Sequence, residues 1–265
     1  MLNIPCPSRN EVSDLLKIID EKYSGEKKDT LKRIANKIKN RYADFVQIEL
    51  NNRITSTTFP LEEKEALWAL YSSKTATAKA ITDCVIRAQI ARQAGCCLSC
   101  GIGEVDQIDH FLPQEHFPEF SILHKNLIPS CGKCNELKAD HIPGSNSKDF
   151  LHNMFDQVPN EAFLSCSVDY SKNAPNATFS ILPHFNSHRI YTHFKSLNLE
   201  RRLQDKSTQY FLQIRAYKTE LGAPFAQEEI ERDLTKIGIC FGPNFWKYIL
   251  CKEMIDTSFV TKTNS

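Results

Sequence analysis

Residues 97–138 read CLSCGIGEVDQIDHFLPQEHFPEFSILHKNLIPSCGKCNELK, and they are the most informative part of this chain. The segment holds two Cys-x-x-Cys pairs, Cys97 with Cys100 and Cys131 with Cys134. Thiolates two residues apart can bind one Zn²⁺ at tetrahedral angles, and a second pair completes the shell. The spacing therefore predicts one structural zinc ion. Ordinary buried cysteines are the alternative, and the repeated spacing argues against it.

Between the two cysteine pairs the pattern predicts the order strand, loop, strand, helix. The predicted elements are a strand over Val105–Leu112, a loop over residues 114–124, a strand over Asn126–Pro129 and a helix from Gly132. Cys96 makes the register of the first pair ambiguous. Because Cys97 gives the two-residue spacing, Cys96 is interpreted as a packed neighbour.

Four polar residues of this segment are candidates for a second, catalytic site, with Asp109 and Asn135 as the ligands of its metal. Asp109 and His110 are adjacent, so on a strand they point to opposite sides unless the backbone bulges. Asn135 and Lys138 lie three residues apart and share one face of the predicted helix. Asp109 and Asn135 can then converge on one point, with His110 beside them. Each residue alone has an ordinary explanation, and their joint position inside a zinc-bound frame is what makes the site a hypothesis.

These residues resemble the HNH, or ββα-metal, nuclease family. The resemblance covers about residues 95–141 and is carried by Asp109-His110, Asn126 and the run from Cys131 through Cys134-Asn135 to Lys138. The last motif position is Asn rather than His, which is a common variant. The resemblance implies a zinc-stapled ββα core that hydrolyses phosphodiester bonds with Mg²⁺ or Mn²⁺.

A narrower likeness extends over the phrase from His110-Phe111-x-Pro113 through Pro118-Glu119 to Lys138. This phrase is similar to the nucleases that accompany ATPases in bacterial phage-defence pairs. The likeness implies a defence effector and an ATPase, or another protein partner, that licenses cleavage.

The polar residues suit the roles that the resemblance implies. His110 suits a general base because an unperturbed imidazole has a pKa of about 6.5, so the rate should fall as the pH drops through that value. Asp109 is a hard oxygen ligand for Mg²⁺ or Mn²⁺, and Asn135 adds an amide oxygen. By resemblance, Asn126 stabilises the loop that holds the base. Lys138 is expected either to meet a phosphate oxygen or to be a solvated helix lysine.

Other polar residues of the segment are interpreted as loop surface. They are Glu104, Glu115, His116, Glu119 and His124.

Composition limits the class of protein. With 41% hydrophobic and 25% charged residues, the chain of 265 residues is globular. Its net charge of +1 means that any DNA-binding surface must come from local clustering. Ten cysteines without a signal peptide predict reduced thiols in a cytoplasmic protein. No apolar run approaches the length of a membrane span, so no membrane partner is expected.

The predicted fold class is α+β, mainly helical, with the ββα nuclease core flanked by helical regions. The predicted regions are a helical one over 1–94, the core over 95–141 and a mixed one over 142–265, after a linker at Pro143–Ser147. A capping box at Ser8 and Glu11 is expected to open the first helix. One helix is expected over about 29–51, residues 186–221 are expected to be helical, and two strands are expected over Phe163–Tyr170 and Thr178–Leu182.

Basic residues before the first cysteine pair are candidates for contact with nucleic acid. On the helix near 29–51 only Asp29 opposes them along the same face. The candidates are Lys32, Arg33, Lys37 and Lys39 on that helix, and Arg87 and Arg92 just before the first cysteine pair. A solvated helix face is an equal alternative.

The sequence therefore predicts a metal-dependent endonuclease, with DNA favoured over RNA as the substrate. The alternative is a zinc-bearing nucleic-acid-binding or adaptor module that does not cleave.

Overall fold

The computed structural model describes residues 3–22, 24–51, 54–73, 75–93, 95–142, 149–171 and 175–262. The fold is α+β and mainly helical, so the predicted fold class is confirmed. The elements are α1 (Glu11–Glu21), α2 (Glu26–Asp44), α3 (Val46–Asn51), α4 (Leu61–Tyr71), α5 (Ala76–Gln93), β1 (Gln107–His110), β2 (Leu127–Ser130), α6 (Gly132–Lys138), β3 (Leu164–Asp169), β4 (Asn176–Ile181), α7 (Arg189–Ser196), α8 (Leu199–Leu221), α9 (Ala223–Phe241), α10 (Trp246–Asp256) and α11 (Phe259–Lys262). The predicted linker Pro143–Ser147 lies outside the described residues.

The strands form two antiparallel pairs, β1 with β2 and β3 with β4. By its contacts the chain divides into two compact units. One contains Asn3–Ser99 and Gly103–Gln157, and the other contains Cys100–Ile102 and Val158–Ser265. The N-terminal helices and the strands β1 and β2 thus belong to the same unit. No helix among the described residues is both long and apolar enough to cross a membrane.

The core of the first unit is built from helix faces and from the segment that connects β1 to β2. In α2, Leu31, Ile34 and Ile38 recur at helical spacing and are buried on one face. The connecting segment, residues 111–126, is called the β1–β2 loop below. Its phenylalanines Phe111, Phe117 and Phe120 enter the same hydrophobic cluster, which fixes the loop against the helices.

The expectation of a surface loop was wrong for Glu119 and His124. Glu119 is 0% exposed and His124 is 2% exposed. Both residues lie in the β1–β2 loop, which the hydrophobic cluster draws into the interior. Glu119 is matched by Arg41 of α2, whose Nε donates to Glu119 Oε1 at 2.8 Å. The apolar residues of the loop give a local signal for this burial, but the partner on α2 does not appear in the local pattern.

The one helix expected near 29–51 is broken in two, and the helical stretch 186–221 also contains two helices. The helix near 29–51 breaks at Phe45, whose N–H donates to the carbonyl of Tyr42 three residues back and tightens the last turn of α2. The helical stretch 186–221 breaks before α8 at Asn198, which has a φ of 49°. Asparagine tolerates that left-handed conformation better than most residues.

The cap of α1 also differs from the expectation. The side-chain oxygen of Asn10 accepts from the N–H of Ser13 at 2.8 Å, so Asn10 caps α1 in place of Ser8.

Candidate functional site

Four buried cysteines form a cluster that could hold a metal ion. The sulfur atoms of Cys97, Cys100, Cys131 and Cys134 all lie within 4.8 Å of one another. None of the four is in a disulfide. A tetrahedral zinc site with bonds of about 2.3 Å places its sulfurs roughly 3.8 Å apart, so small side-chain shifts complete the shell. The donor set and its spacing therefore fit a structural Zn²⁺.

The backbone beside the first pair of the cluster forms a tight turn. The N–H of Cys97 donates to the carbonyl of Gly103 at 2.7 Å. Gly101 has a φ of +67°, a left-handed conformation that glycine adopts without strain. A Cβ added at Gly103 would lie 2.8 Å from both Cβ and Sγ of Cys131. Glycine at 103 thus allows the two cysteine pairs to approach, a requirement that the sequence pattern did not reveal.

The register interpretation of Cys96 is confirmed. Cys97 belongs to the cluster, whereas Cys96 is half-buried and forms an isolated β-bridge with Glu104.

The predicted strand, strand and helix form around this cluster, with β1 two residues shorter at each end than expected. In the antiparallel pairing Asp109 lies opposite Ile128, and His110 lies opposite Leu127. The carboxylate of Asp106 accepts from the N–H of Gly132 at 2.8 Å and satisfies the first turn of α6. This contact holds the start of α6 against the start of β1.

Asp109 lies in a buried ion pair. Lys138 Nζ donates to Asp109 Oδ1 at 3.0 Å and to the carbonyl oxygen of His110 at 2.7 Å. Burial raises the pKa of Asp109 to about 6, although the ammonium of Lys138 opposes the shift. Lys138 is only 6% exposed, so the solvated-lysine interpretation was wrong. Its contact with a phosphate oxygen stays a prediction.

Asn135 also contacts β1, at a position two residues before Asp109. Its Nδ2 donates to Gln107 Oε1 at 2.7 Å. Gln107 and Asp109 are two residues apart on β1, so both face α6, at a separation of roughly 6–7 Å along the strand. The side-chain oxygen of Asn135 has no hydrogen-bond partner among the described residues. We call Gln107, Asp109, Asn135 and Lys138 the β1–α6 face.

Gln107 was missed by the sequence reasoning, although the two-residue period from Asp109 could have identified it. The oxygens of Asp109 and Asn135 are the kind of ligand that Mg²⁺ and Mn²⁺ prefer. The carboxylate of Asp109 is paired with the Lys138 ammonium, so a divalent ion held by Asp109 and Asn135 stays a prediction.

His110 points away from the β1–α6 face and is held in one orientation. Its Nε2 lies 2.8 Å from the carbonyl oxygen of Ser121. A carbonyl only accepts, so in the neutral imidazole Nε2 carries the hydrogen and Nδ1 keeps the lone pair. Burial lowers the pKa of His110 to about 4. The ring is thus neutral at pH 7, and the expected loss of activity in acid moves below the ordinary imidazole range.

Asn126 lies at the base of the β1–β2 loop and is 0% exposed. Its Oδ1 accepts from the N–H of Leu112 at 2.7 Å. Its Nδ2 donates to the carbonyls of Leu112 and Phe120 at 3.1 and 3.2 Å. These three bonds join both ends of the loop directly after His110, an arrangement compatible with the loop-stabilising role implied for Asn126.

The basic residues of α2 differ in what they contact. Arg33 NH2 lies 2.7 Å from Glu62 Oε1, and Lys37 Nζ lies 3.4 Å from Glu63 Oε2. The acidic partners belong to α4 and are remote in sequence. The sequence analysis found only Asp29 against the basic face of α2, and it therefore underestimated the negative charge near that face. Lys32 is exposed and has no ion pair among the described residues.

The other three candidates are less engaged. Lys39 Nζ donates to Asn36 Oδ1 at 3.4 Å on the same helix. Arg87 is exposed on α5. The side chain of Arg92 lies outside the described part of the chain. Nucleic-acid contact by these six residues stays a prediction.

Comparison with known proteins gives one distant relative. Protein ea31 of Escherichia phage lambda is 29% identical over 178 residues, which cover 58% of this chain and 59% of that protein. The chain thus spans about three fifths of the length of this curated relative. No protein-family model and no solved structure matches the chain.

Proposed function

We propose that this chain is a metal-dependent endonuclease that hydrolyses phosphodiester bonds of nucleic acid, with DNA as the expected substrate. One observation carries the proposal. The imidazole of His110 is hydrogen-bonded through Nε2 to the Ser121 carbonyl, and its Nδ1 lone pair has no hydrogen-bond partner among the described residues. The residue before it, Asp109, offers carboxylate oxygens on the β1–α6 face, beside a four-cysteine cluster.

In this proposal His110 takes a proton from the water that attacks phosphorus. The base must be neutral to do so, and its lowered pKa satisfies that condition across the physiological range. Asp109 and Asn135 would hold Mg²⁺ or Mn²⁺, which neutralises charge on the phosphoryl oxygens and stabilises the departing 3′-oxygen. Asn126 keeps the β1–β2 loop closed behind the base. Lys138 exchanges Asp109 for a phosphate oxygen of the substrate.

Nicking of supercoiled plasmid DNA by the cutting-competent form, with any licensing partner and Mg²⁺ or Mn²⁺ present, tests the proposal. His110→Ala should lower the rate by about 10²–10⁴-fold, because positioned proton transfer contributes that much. Asp109→Ala should abolish cleavage while its zinc content stays normal. His184→Ala, which removes an exposed histidine of the other unit, is the matched control and should cleave like the parent. Parental cleavage by both His110→Ala and Asp109→Ala would refute the mechanism.

A zinc-bearing module that binds nucleic acid without cutting is the second candidate. The ion pair between Lys138 and Asp109 favours it, because an ammonium ion 3.0 Å from the carboxylate opposes a divalent cation there. Mn²⁺ titration followed by electron paramagnetic resonance separates the two candidates. Binding that is present in the parent and lost in Asp109→Ala supports the nuclease. Binding that is absent from both supports the module.

We also infer that cleavage is licensed by a protein partner, with an ATPase as the expected kind. The net charge of +1 predicts little unaided affinity for DNA. The exposed basic residues of α2 that form no ion pair are few, which reduces that affinity further. A purified chain that cuts at full rate without any added protein would contradict this inference.

A further inference from the structure

Tyr71 contacts the ring of His110 from outside the HNH-like segment. It is the last residue of α4 and is half-buried. The centroids of the two rings are 4.6 Å apart, and their planes meet at 77°, an edge-to-face contact. This geometry is favourable between aromatic rings because the positive edge of one meets the negative face of the other.

The helix that carries Tyr71 also fixes the group that binds His110. Ser121 Oγ donates to the carbonyl of Leu67 in α4 at 2.8 Å, and Ser121 is 0% exposed. The carbonyl of the same Ser121 is the partner of His110 Nε2. Trp68 Nε1 donates to the carbonyl of Gln114 at 3.0 Å, a second bond from α4 to the β1–β2 loop. The helix thus fixes the hydrogen-bond anchor of the imidazole and touches its ring.

We propose that Tyr71 is a positioning residue for His110. A single hydrogen bond through Nε2 leaves the imidazole able to rock about that bond, and the tyrosine ring blocks this motion. The direction of the Nδ1 lone pair is then set by α4 as well as by the ββα core. The ring performs this function, and the hydroxyl, which has no hydrogen-bond partner among the described residues, is not required. The effect on rate rests on the proposed function, whereas the effect on ring orientation does not.

Two substitutions separate the ring from the hydroxyl. Tyr71→Phe keeps the ring and should cleave within about twofold of the parent. Tyr71→Leu keeps apolar bulk but no aromatic edge, and its kcat should fall about 10- to 100-fold, as expected for a catalytic group that loses its orientation. Zinc content should be that of the parent in both variants, since the four-cysteine cluster does not contain Tyr71.

Nitrogen NMR of the His110 imidazole gives a readout that does not need substrate. The parent and Tyr71→Phe should show one tautomer, with hydrogen on Nε2. Tyr71→Leu should keep this tautomer, because the Ser121 carbonyl is still present, but its ring-nitrogen signals should broaden as the ring rocks about that bond. If the parent fails to cleave even with its licensing partner present, the proposed function fails, and this measurement still decides whether Tyr71 positions the ring.

A double substitution tests whether Tyr71 acts through His110. Because a positioning residue has nothing to orient once the base is removed, Tyr71→Leu should cause no further loss in a His110→Ala background. A further 10-fold loss there would mean that Tyr71 acts independently of the base. The proposal is also overturned if Tyr71→Leu keeps the parental rate and spectrum, or if Tyr71→Phe loses as much as Tyr71→Leu.

Discussion

The β1–α6 face and the basic face of α2 both present charged side chains, but these side chains differ in how deeply they are buried. Asp109 and Lys138 are almost fully buried, and their ion pair has a distance of 3.0 Å. Arg33 and Glu62 are more than half exposed, and water and salt screen their ion pair. Burial is what turns a charged residue into an oriented chemical group, because it raises the cost of every other arrangement. The exposed charges of α2 instead add weak contacts to α4.

Removing the zinc site should have the largest effect on the contrast between the two faces. Cys131→Ser should lose the bound zinc and with it the packing of β1, β2 and α6, since structural zinc typically contributes about 10–16 kcal/mol to the folding of small metal-binding units. Metal analysis and thermal unfolding measure both effects. Cys96→Ser is the control. Cys96 lies outside the cluster, so this variant should keep its zinc. One tightly bound zinc per chain in Cys131→Ser would exclude this ligand set.

Removing the Asn126 side chain, whose hydrogen bonds join both ends of the β1–β2 loop after His110, should have the next largest effect. Asn126→Ala leaves buried groups of Leu112 without partners, so the free energy of unfolding should fall by roughly 1–3 kcal/mol. Cleavage should fall less than in His110→Ala, because the base itself remains. Denaturant unfolding measures the first effect and plasmid nicking the second. Asn40→Ala, at an exposed position of α2, should change neither. Equal losses of unfolding free energy in Asn126→Ala and Asn40→Ala would mean that the hydrogen bonds of Asn126 do not stabilise the fold.

The buried pair of neighbours on β1 should respond to acid in opposite directions. The pKa of His110 is lowered from 6.5 to about 4, so its contribution to stability is present above pH 6.5 and is lost as the pH falls towards 4. The pKa of Asp109 is raised from 3.8 to about 6, so its contribution is present below pH 3.8 and is lost as the pH rises through 6.

Single substitutions should expose these opposed contributions without added divalent metal. Between pH 6.5 and 5, Asp109→Asn should lose stability on acidification and His110→Gln should gain it. Each change should be on the order of 1 kcal/mol, because one pKa unit corresponds to about 1.4 kcal/mol. The parent should change little over the same range. Denaturant unfolding at each pH measures the difference, and slopes of the same sign in the two variants would contradict the assignment.

The same contrast explains how far the sequence could predict the molecule. The cysteine pairs, Asp109, His110 and Asn135 follow from short spacings, because a metal shell and a strand-to-helix unit constrain residues within one segment. Three features of the site depend on residues that are distant along the chain. Ser121 is anchored on Leu67, Glu119 is paired with Arg41, and Tyr71 lies against His110. No local periodicity encodes such partners, so the loop was expected to be surface.

The charge pattern of α2 missed two acidic partners for the same reason. Counting charges along one helix assumes that its face meets only solvent. Glu62 and Glu63 of α4 meet that face in the folded chain, and they lie outside the helix that was counted. Tertiary neighbours decide which cations are available to a phosphate backbone.

The smallest expected effect concerns these cations. If the free part of the α2 face follows a phosphate backbone, Lys32→Gln should lower the slope of log K against log salt by at most about 0.9, the value for one phosphate contact. Arg33→Gln should leave that slope unchanged, because Arg33 already pairs with Glu62. It should instead lower the free energy of unfolding by about 0.2–1 kcal/mol, the usual range for an exposed ion pair. Binding isotherms on a DNA duplex at several salt concentrations, together with denaturant unfolding, separate the two substitutions. A slope change in Arg33→Gln as large as that in Lys32→Gln would show that Arg33 leaves Glu62 to bind the nucleic acid. An exposed ion pair of α2 would then be exchanged for a phosphate contact, as is proposed for the buried pair of Lys138 and Asp109.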